Sequence, residues 1–320
     1  MAIPRWLPPS LVFACCHALI GCGDGDNTET ETDAPSAFAL EFVATAAGED
    51  VGCTDVVEGF GPDGSSSIGV SDLRFYVSNL RFADEHGESV ALTLDEDEFQ
   101  YRSDAGAVVL IDLTSNTEGS CADFAISLAE GTERTHAALT GTTLVSRVRS
   151  LSFDVGVPQK LMGEIIAEHS PEGAPSPLDE MYWSWAGGYR HFVFNFAIES
   201  GGETGEGYLH LGSRGCGPAD GLALEDRERC DFVNTPAVAL SDFDLENDRV
   251  AVDLSSLLAG IDFVSPIYDA ATFEVIGEGP GVECHSSPQQ PDCAPTFANL
   301  GVAIQTGDAD AESDTVFVRH

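Results

Sequence analysis

The sequence predicts an all-β protein, an antiparallel β-sandwich of Greek-key type with few short helices. Apolar residues alternate with polar ones in several short segments, as at Phe38, Leu40 and Phe42. This period of two is typical of half-buried strands. The 33 glycines and 16 prolines are spread along the chain and supply many turns. Helical spacing is limited to residues 161–169 and 253–260, so we expect only a turn or two of helix there.

The amino terminus has the features of a bacterial lipoprotein signal peptide. An apolar run over residues 7–20 follows Arg5 and is too short to span a bilayer. It ends in Leu19-Ile20-Gly21-Cys22, small residues that lead into a cysteine. We therefore predict a signal peptide over 1–21 and lipidation of Cys22, which would anchor the protein in the cell envelope, on the periplasmic side or at the outer-membrane surface. A plain secretory signal is the alternative.

Residues 22–36 are acidic and rich in threonine, which predicts a flexible tether. No change of composition divides the rest, so 37–320 is predicted to be one domain. The formal net charge of −40 repels nucleic acid and anionic lipid headgroups, and both are excluded as partners. Adaptation to a salty environment explains this charge as well as any specific role with cations does.

Six cysteines remain in the predicted domain, and an even number outside the cytoplasm indicates disulfides. Six cysteines allow fifteen pairings. Short loops favour Cys216 with Cys230 and Cys284 with Cys293, which leaves Cys53 with Cys121. A thiolate metal site is the alternative, but no Cys-x-x-Cys spacing occurs.

His210 differs from the other histidines in its surroundings. It lies in the apolar segment Tyr208-Leu209-His210-Leu211, just before the turn that leads to Cys216, and a disulfide there would hold the imidazole in place, as suits a metal ligand. Position alone nevertheless favours a buried histidine bonded to a backbone carbonyl. Strict alternation predicts that His191 points away from the phenylalanine face, towards solvent. Most of the others are expected to be surface residues: His86, His136, His169, His285 and His320.

The mature chain has two tryptophans, Trp183 and Trp185, whose rings would emerge on one face of a strand. An indole N–H only donates a hydrogen bond, so an unmodified tryptophan is a poor metal ligand. A core pair or a sugar-stacking pair is the ordinary interpretation. No G-x-S-x-G elbow and no phosphate-binding glycine loop occur, and the sequence does not support an enzyme.

Several motifs follow one another in a fixed order along the chain. They are Val70-Ser71-Asp72-Leu73-Arg74-Phe75-Tyr76-Val77-Ser78-Asn79-Leu80-Arg81, Phe153-Asp154-Val155-Gly156-Val157-Pro158, Ala174-Pro175-Ser176-Pro177-Leu178, Met181-Tyr182-Trp183-Ser184-Trp185 with Gly188-Tyr189, and His210-Leu211-Gly212-Ser213 with Cys216. This series resembles the MbnP-like copper-binding proteins, which are related to the MopE and CorA surface copper proteins of methane-oxidising bacteria. The resemblance extends from about residue 38 to the carboxyl terminus.

This resemblance implies a β-sandwich that binds copper outside the cytoplasm. It also implies that a dihaem, cytochrome c peroxidase-like partner of the MbnH and MauG type oxidises one tryptophan to kynurenine. Kynurenine offers an aniline nitrogen and a ketone in place of the indole, and imidazoles suit copper. By motif match His210 is the firmest ligand and His169 the next, with either Trp183 or Trp185 modified.

The chain departs from the family after Pro158, where the family commonly reads Leu-Asn-His and this sequence has a longer insert before His169. Met162, within that insert, is a possible soft ligand, although a packing role is expected. The resulting hypothesis is a non-catalytic copper-binding lipoprotein that captures or stores copper. The alternative is a surface module without metal, in which Trp183 and Trp185 form a platform for a glycan or a partner.

Overall fold

Strands dominate the computed structural model, which describes residues 34–114, 126, 134–184, 188–216, 230–268, 272 and 274–320. The strands are β1 Ser36–Ala46, β2 Glu49–Asp50, β3 Val56–Phe60, β4 Ser66–Ala83, β5 Ser89–Val90, β6 Leu92–Leu94, β7 Gln100–Ser103, β8 Gly106–Asp112, β9 Ala138–Thr143, β10 Ser150–Val155, β11 Tyr182–Ser184, β12 Gly188–Ser200, β13 Glu203–Gly212, β14 Ala237–Ser241, β15 Val250–Asp253, β16 Val264–Tyr268, β17 Val275–Cys284, β18 Leu300–Val302, β19 Ala309–Asp314 and β20 Phe317–Arg319. Residues Ala34–His320 form one compact unit.

Three short α-helices interrupt the strands of the described chain: α1 Gln159–Glu168, α2 Leu254–Leu257 and α3 Cys293–Asn299. The helical spacing in the sequence predicts the first two. The carboxylate of Asp253 caps α2 by accepting hydrogen bonds from the backbone N–H groups of Ser255 and Ser256. None of the described helices has the length and apolar character needed to cross a bilayer.

Two main sheets confirm the predicted all-β fold. The smaller has the order β20-β15-β1-β9-β6, and the larger has the order β14-β10-β4-β12-β13-β17-β16. Further short strands pair with the sides of β1, β4, β8 and β12. Most neighbours are antiparallel, as predicted, but β1 with β15 and β13 with β17 are parallel. The second of these parallel pairs positions the candidate site.

The main core lies between the two sheets and is rich in phenylalanine. Phe42 from the small sheet meets Phe75 of the large sheet edge to face at 5.5 Å. Phe75 also packs on Phe192 and on Phe317. These side chains come from the alternating positions that the sequence pattern assigns to the core, and all are buried.

The opposite, outer face of the large sheet is buried as well, under a second apolar cluster. Helix α1 contributes Leu161, Met162 and Ile165 to this cluster, and the sheet contributes Tyr76 and Val193. The amphipathic spacing of α1 explains its position, because its apolar stripe faces the sheet. Polar residues on the outer face, such as Asn195 and His210, are buried too.

Two disulfides join the pairs that short loops favour, Cys216–Cys230 and Cys284–Cys293. Cys53 is also disulfide-bonded. Its predicted partner, Cys121, lies outside the described residues, as does the predicted lipid-anchor residue Cys22.

Candidate metal site

His210 lies near the end of β13, on the outer face of the large sheet. Its neighbour across the antiparallel β12–β13 pair is Val193, which belongs to the outer-face cluster. On its other side the parallel strand β17 aligns Leu209 with Cys284, and this register brings His285 beside His210. The site therefore joins two segments that are 75 residues apart.

The imidazole of His210 is almost completely enclosed, with 3% of the residue exposed. Burial, helped by the positive charge of Arg190, lowers the pKa of His210 to about 2. The ring is therefore neutral at every ordinary pH. A neutral imidazole is the form that binds a metal ion.

A hydrogen bond to Asn195 determines which nitrogen of His210 carries the proton. Nε2 of His210 lies 2.8 Å from Oδ1 of Asn195. Because an amide oxygen only accepts, Nε2 donates and Nδ1 keeps its lone pair. Nδ2 of Asn195 is buried and has no hydrogen-bond partner among the described residues. An unsatisfied buried donor lowers the stability of the folded state by about 1–3 kcal/mol. Buried polar groups without partners often occur at functional sites.

His285 supplies a second imidazole to the site. Its Nδ1 lies 3.1 Å from Nδ1 of His210, and the two ring centroids are 4.7 Å apart. Its Nε2 faces Oε1 of Glu283 at 3.5 Å. The side chain is 30% exposed, so the pair is open to solvent from this side. The prediction grouped His285 with histidines that are mostly on the surface, because the parallel pairing that places it has no local sequence signal.

The predicted ligand His169 ends helix α1, and its backbone N–H donates to the carbonyl of Ile165. Its carbonyl oxygen accepts from the hydroxyl of Tyr182 at 3.5 Å. No hydrogen bond or ring contact of the described residues joins His169 to His210. Its role as a ligand stays a prediction. Met162 is buried in the outer-face cluster, where its sulfur accepts from the hydroxyl of Ser213 at 3.4 Å.

Trp183 lies on β11, which pairs with the start of β12. The neighbouring Tyr182 faces inward and stacks on Tyr189, so alternation turns Trp183 outward, and 42% of it is exposed. Trp185 lies outside the described residues. The pairing of the two indoles on one face therefore stays a prediction.

The expectation that His191 faces solvent is wrong, since this residue is completely buried. It does point away from the phenylalanine face, but other segments cover that side. Its Nδ1 accepts from the N–H of Val157 at 3.3 Å, and its Nε2 donates to the carbonyl of Val233 at 3.1 Å. Gly156, at φ 146°, makes room for it, because a Cβ there would lie 2.8 Å from the ring. Both nitrogens are used, so His191 is a structural residue.

The described residues thus provide two convergent imidazoles and not a full set of ligands. Among them, no three His, Cys, Asp or Glu side chains group closely enough to hold a metal ion. The nitrogen donors present do fit copper, for which imidazole is a suitable ligand.

Comparison with known proteins identifies the family. The family model MbnP matches residues 35–275, which is most of the chain. The chain belongs to the MbnP family. This family assignment covers β13 and His210 but ends before His285.

A solved MbnP structure has the same fold. The MbnP from Methylosinus trichosporium aligns with a TM-score of 0.63 at 22% sequence identity, over 89% of this chain and 98% of that one. At this identity the likeness establishes the shared MbnP fold alone. A search of curated proteins gave no match.

Proposed function

We propose that this MbnP-family chain is a copper-binding protein of the cell envelope, with His210 as its central ligand. The supporting observation is the buried, neutral imidazole of His210, whose Nδ1 faces a second imidazole Nδ1 at 3.1 Å. Its hydrogen bond to Asn195 fixes the ring, and such outer contacts orient metal-binding histidines. The protein binds copper to capture or store it, without catalysis.

The charge near the site favours monovalent copper in this proposal. Arg190 is the positive group that acts most strongly on the ring of His210, whereas the charge of Arg74 is offset by its salt bridge to Asp72. Coulomb energy is proportional to charge, so Arg190 opposes a divalent ion about twice as strongly as a monovalent one. Cu(I) is therefore the proposed cargo.

Replacement of His210 tests this function. We expect His210→Ala to abolish tight Cu(I) binding, measured without oxygen by competition with a coloured Cu(I) chelator. His86→Ala is the matched control, because the side chain of His86 is 74% exposed in a turn and far from β13 in sequence. Unchanged stoichiometry and affinity in a folded His210→Ala variant would remove His210 from the site and contradict the proposal.

We propose further that one tryptophan is oxidised to kynurenine and supplies another ligand. A dihaem partner of the MbnH and MauG type would use two equivalents of hydrogen peroxide, whose oxygen atoms open the indole while two waters leave. Hydrolysis of the N-formyl group then releases formate. The exposure of Trp183 gives a partner access to that ring. Mass spectrometry of the peptide over 181–190 from the native host tests this, with gain of two oxygens and loss of carbon monoxide expected; two intact tryptophans would contradict it.

The proposal places the protein on a membrane through a lipid on Cys22, after removal of residues 1–21. These residues lie outside the described part, and the support is the sequence pattern alone. Labelling of cells with a radioactive fatty acid tests the anchor. Label in the wild type that is lost in Cys22→Ser is expected, whereas equal label in both would exclude it.

A second candidate function rests on the exposure of Trp183. A large aromatic side chain that is 42% exposed can stack on a sugar or a partner protein. In this case copper would be irrelevant, and Trp183→Ala would abolish glycan or partner binding while a chelator had no effect. A gene for a dihaem peroxidase beside this one would favour the copper function.

A further inference from the structure

We infer that His285, outside the region matched by the family model, is the second imidazole ligand and binds the same ion as His210 through Nδ1. This inference rests on the proposed copper function and names a ligand that this chain adds to it. The family match ends at residue 275, ten residues before His285. His285 is therefore identified by the geometry of this chain and not by a family motif.

The outer nitrogens of both rings face hydrogen-bond acceptors. Nε2 of His210 faces the amide oxygen of Asn195 at 2.8 Å, and Nε2 of His285 faces the carboxylate of Glu283 at 3.5 Å. Both partners are hydrogen-bond acceptors, so each can accept a proton carried on Nε2. Nδ1 of His210 is therefore unprotonated, and His285 can present an unprotonated Nδ1 in the tautomer whose Nε2–H faces Glu283. A carboxylate behind a histidine is a frequent arrangement in metal sites.

The inner nitrogens of the two rings lie close together. Their 3.1 Å contact is a hydrogen bond in the metal-free protein, and because Nε2 of His210 carries that ring's proton, Nδ1 of His285 donates to Nδ1 of His210. A metal ion can take the place of this proton when the proton of His285 moves to Nε2, which faces Glu283. Two nitrogens bound at about 2.0 Å each lie at most about 4 Å apart. The observed separation therefore permits both nitrogens to bind one ion with little movement.

The segment that carries His285 is held in place by several bonds. The preceding residue, Cys284, forms a disulfide with Cys293, and the backbone N–H of His285 donates to Oε1 of Gln290. The following residue, Ser286, donates its hydroxyl to the carbonyl of His210 and accepts from the N–H of Gly212. Ser286 also adopts a positive φ of 60°. These bonds tie the His285 segment directly to β13, so the two imidazoles are held as a pair.

Access to the pair also agrees with a ligand role. His210 is enclosed, whereas the side chain of His285 is 30% exposed. An ion can meet His285 at the surface and then bind both rings without opening the core. Tyr208, whose ring stacks over His285 at 6.4 Å, forms one wall of this entrance.

The test compares His285→Ala, His210→Ala and the control His86→Ala in the full mature protein loaded with Cu(I). We expect His285→Ala to bind Cu(I) at least about 100-fold more weakly than the control, because loss of a group that only supports a ligand already costs about 10–100-fold. X-ray absorption of the copper should show one imidazole fewer than in the wild type. Thermal unfolding without metal checks that each variant is folded.

The outcomes separate this inference from the proposed function. If His210→Ala loses copper while folded His285→Ala keeps the wild-type affinity and imidazole count, His285 is not a ligand and the copper function stands. If both variants keep wild-type binding, the proposed site itself is wrong. His285→Gln is the second variant should His285→Ala not fold, with the same loss of one imidazole expected. Glu283→Gln should weaken binding about 10-fold, because it removes the charge behind His285.

Discussion

The two faces of the large sheet are both buried, yet they carry different chemistry. The inner face presents Phe75 and Phe192 to the small sheet, and its contacts are apolar. The outer face presents Arg74, Asn195 and His210, which are also buried, and α1 packs on the apolar part of this face. An apolar face needs only packing, whereas each polar group on the outer face needs a partner.

The two faces therefore contribute differently to the stability of the protein. The inner face provides most of the apolar burial that holds the sandwich together. The outer face uses buried polar side chains at a cost in stability. Arg74 shows the requirement clearly, since Nε and Nη2 bond both carboxylate oxygens of Asp72 at 2.8 and 2.7 Å. We expect changes on the inner face to act on the whole fold and changes on the outer face to act first on the site and its cover.

The largest effect is expected from the inner face. Phe75→Ala removes a fully buried ring that contacts Phe42, Phe192 and Phe317. The lost burial and the cavity should lower the free energy of unfolding by about 3–5 kcal/mol. Guanidinium-induced unfolding measures this. The folded fraction should still bind Cu(I) with the wild-type affinity. A weaker affinity of the folded molecules would show that the inner face also determines copper binding.

A pH effect of intermediate size is expected from His191 on the outer face. Burial lowers its pKa from 6.5 to about 4 in the folded protein. Between these values the unfolded chain binds more protons than the folded one, so stability falls as the pH falls from about 6.5 to 4. The shift corresponds to at most about 3 kcal/mol.

Urea unfolding at several pH values, for the wild type and for His191→Gln, checks this prediction. The variant should be less stable near pH 7 but should lose less stability on acidification than the wild type does. Equal acid sensitivity in the two proteins would mean that His191 is not held neutral in the folded state.

The smallest effect is expected from Tyr76→Phe, which acts on the cover of the outer face. The hydroxyl of Tyr76 donates to the carbonyl of Pro177 at 2.7 Å and accepts from the N–H of Met181 at 3.3 Å. Its removal leaves two buried backbone groups without this partner and should cost about 1–3 kcal/mol. Hydrogen exchange should increase over residues 174–184 and remain unchanged in β1. A uniform increase throughout the sandwich would show that the cover and the inner core unfold together.

Prediction from sequence succeeded where a local pattern was sufficient. The alternation around Phe192, Phe194 and Phe196 identified inner-face residues, and helical spacing located α1 and α2. His210 was selected as the leading candidate from its motif and from the nearby cysteine. The same reasoning failed at His191, because alternation gives the direction of a side chain but not what covers it.

The sequence by itself determined the all-β class, the strand pattern of the inner core and the resemblance to the MbnP family. These properties depend on residues close together in the chain, whose periodicity follows from backbone geometry. Only the tertiary structure decided that His285 lies 3.1 Å from His210, because a parallel strand pair joins segments 75 residues apart. The burial of the outer face of the large sheet was likewise decided by the tertiary structure alone. The physical reason is that burial and convergence depend on contacts between distant segments, which no local pattern encodes.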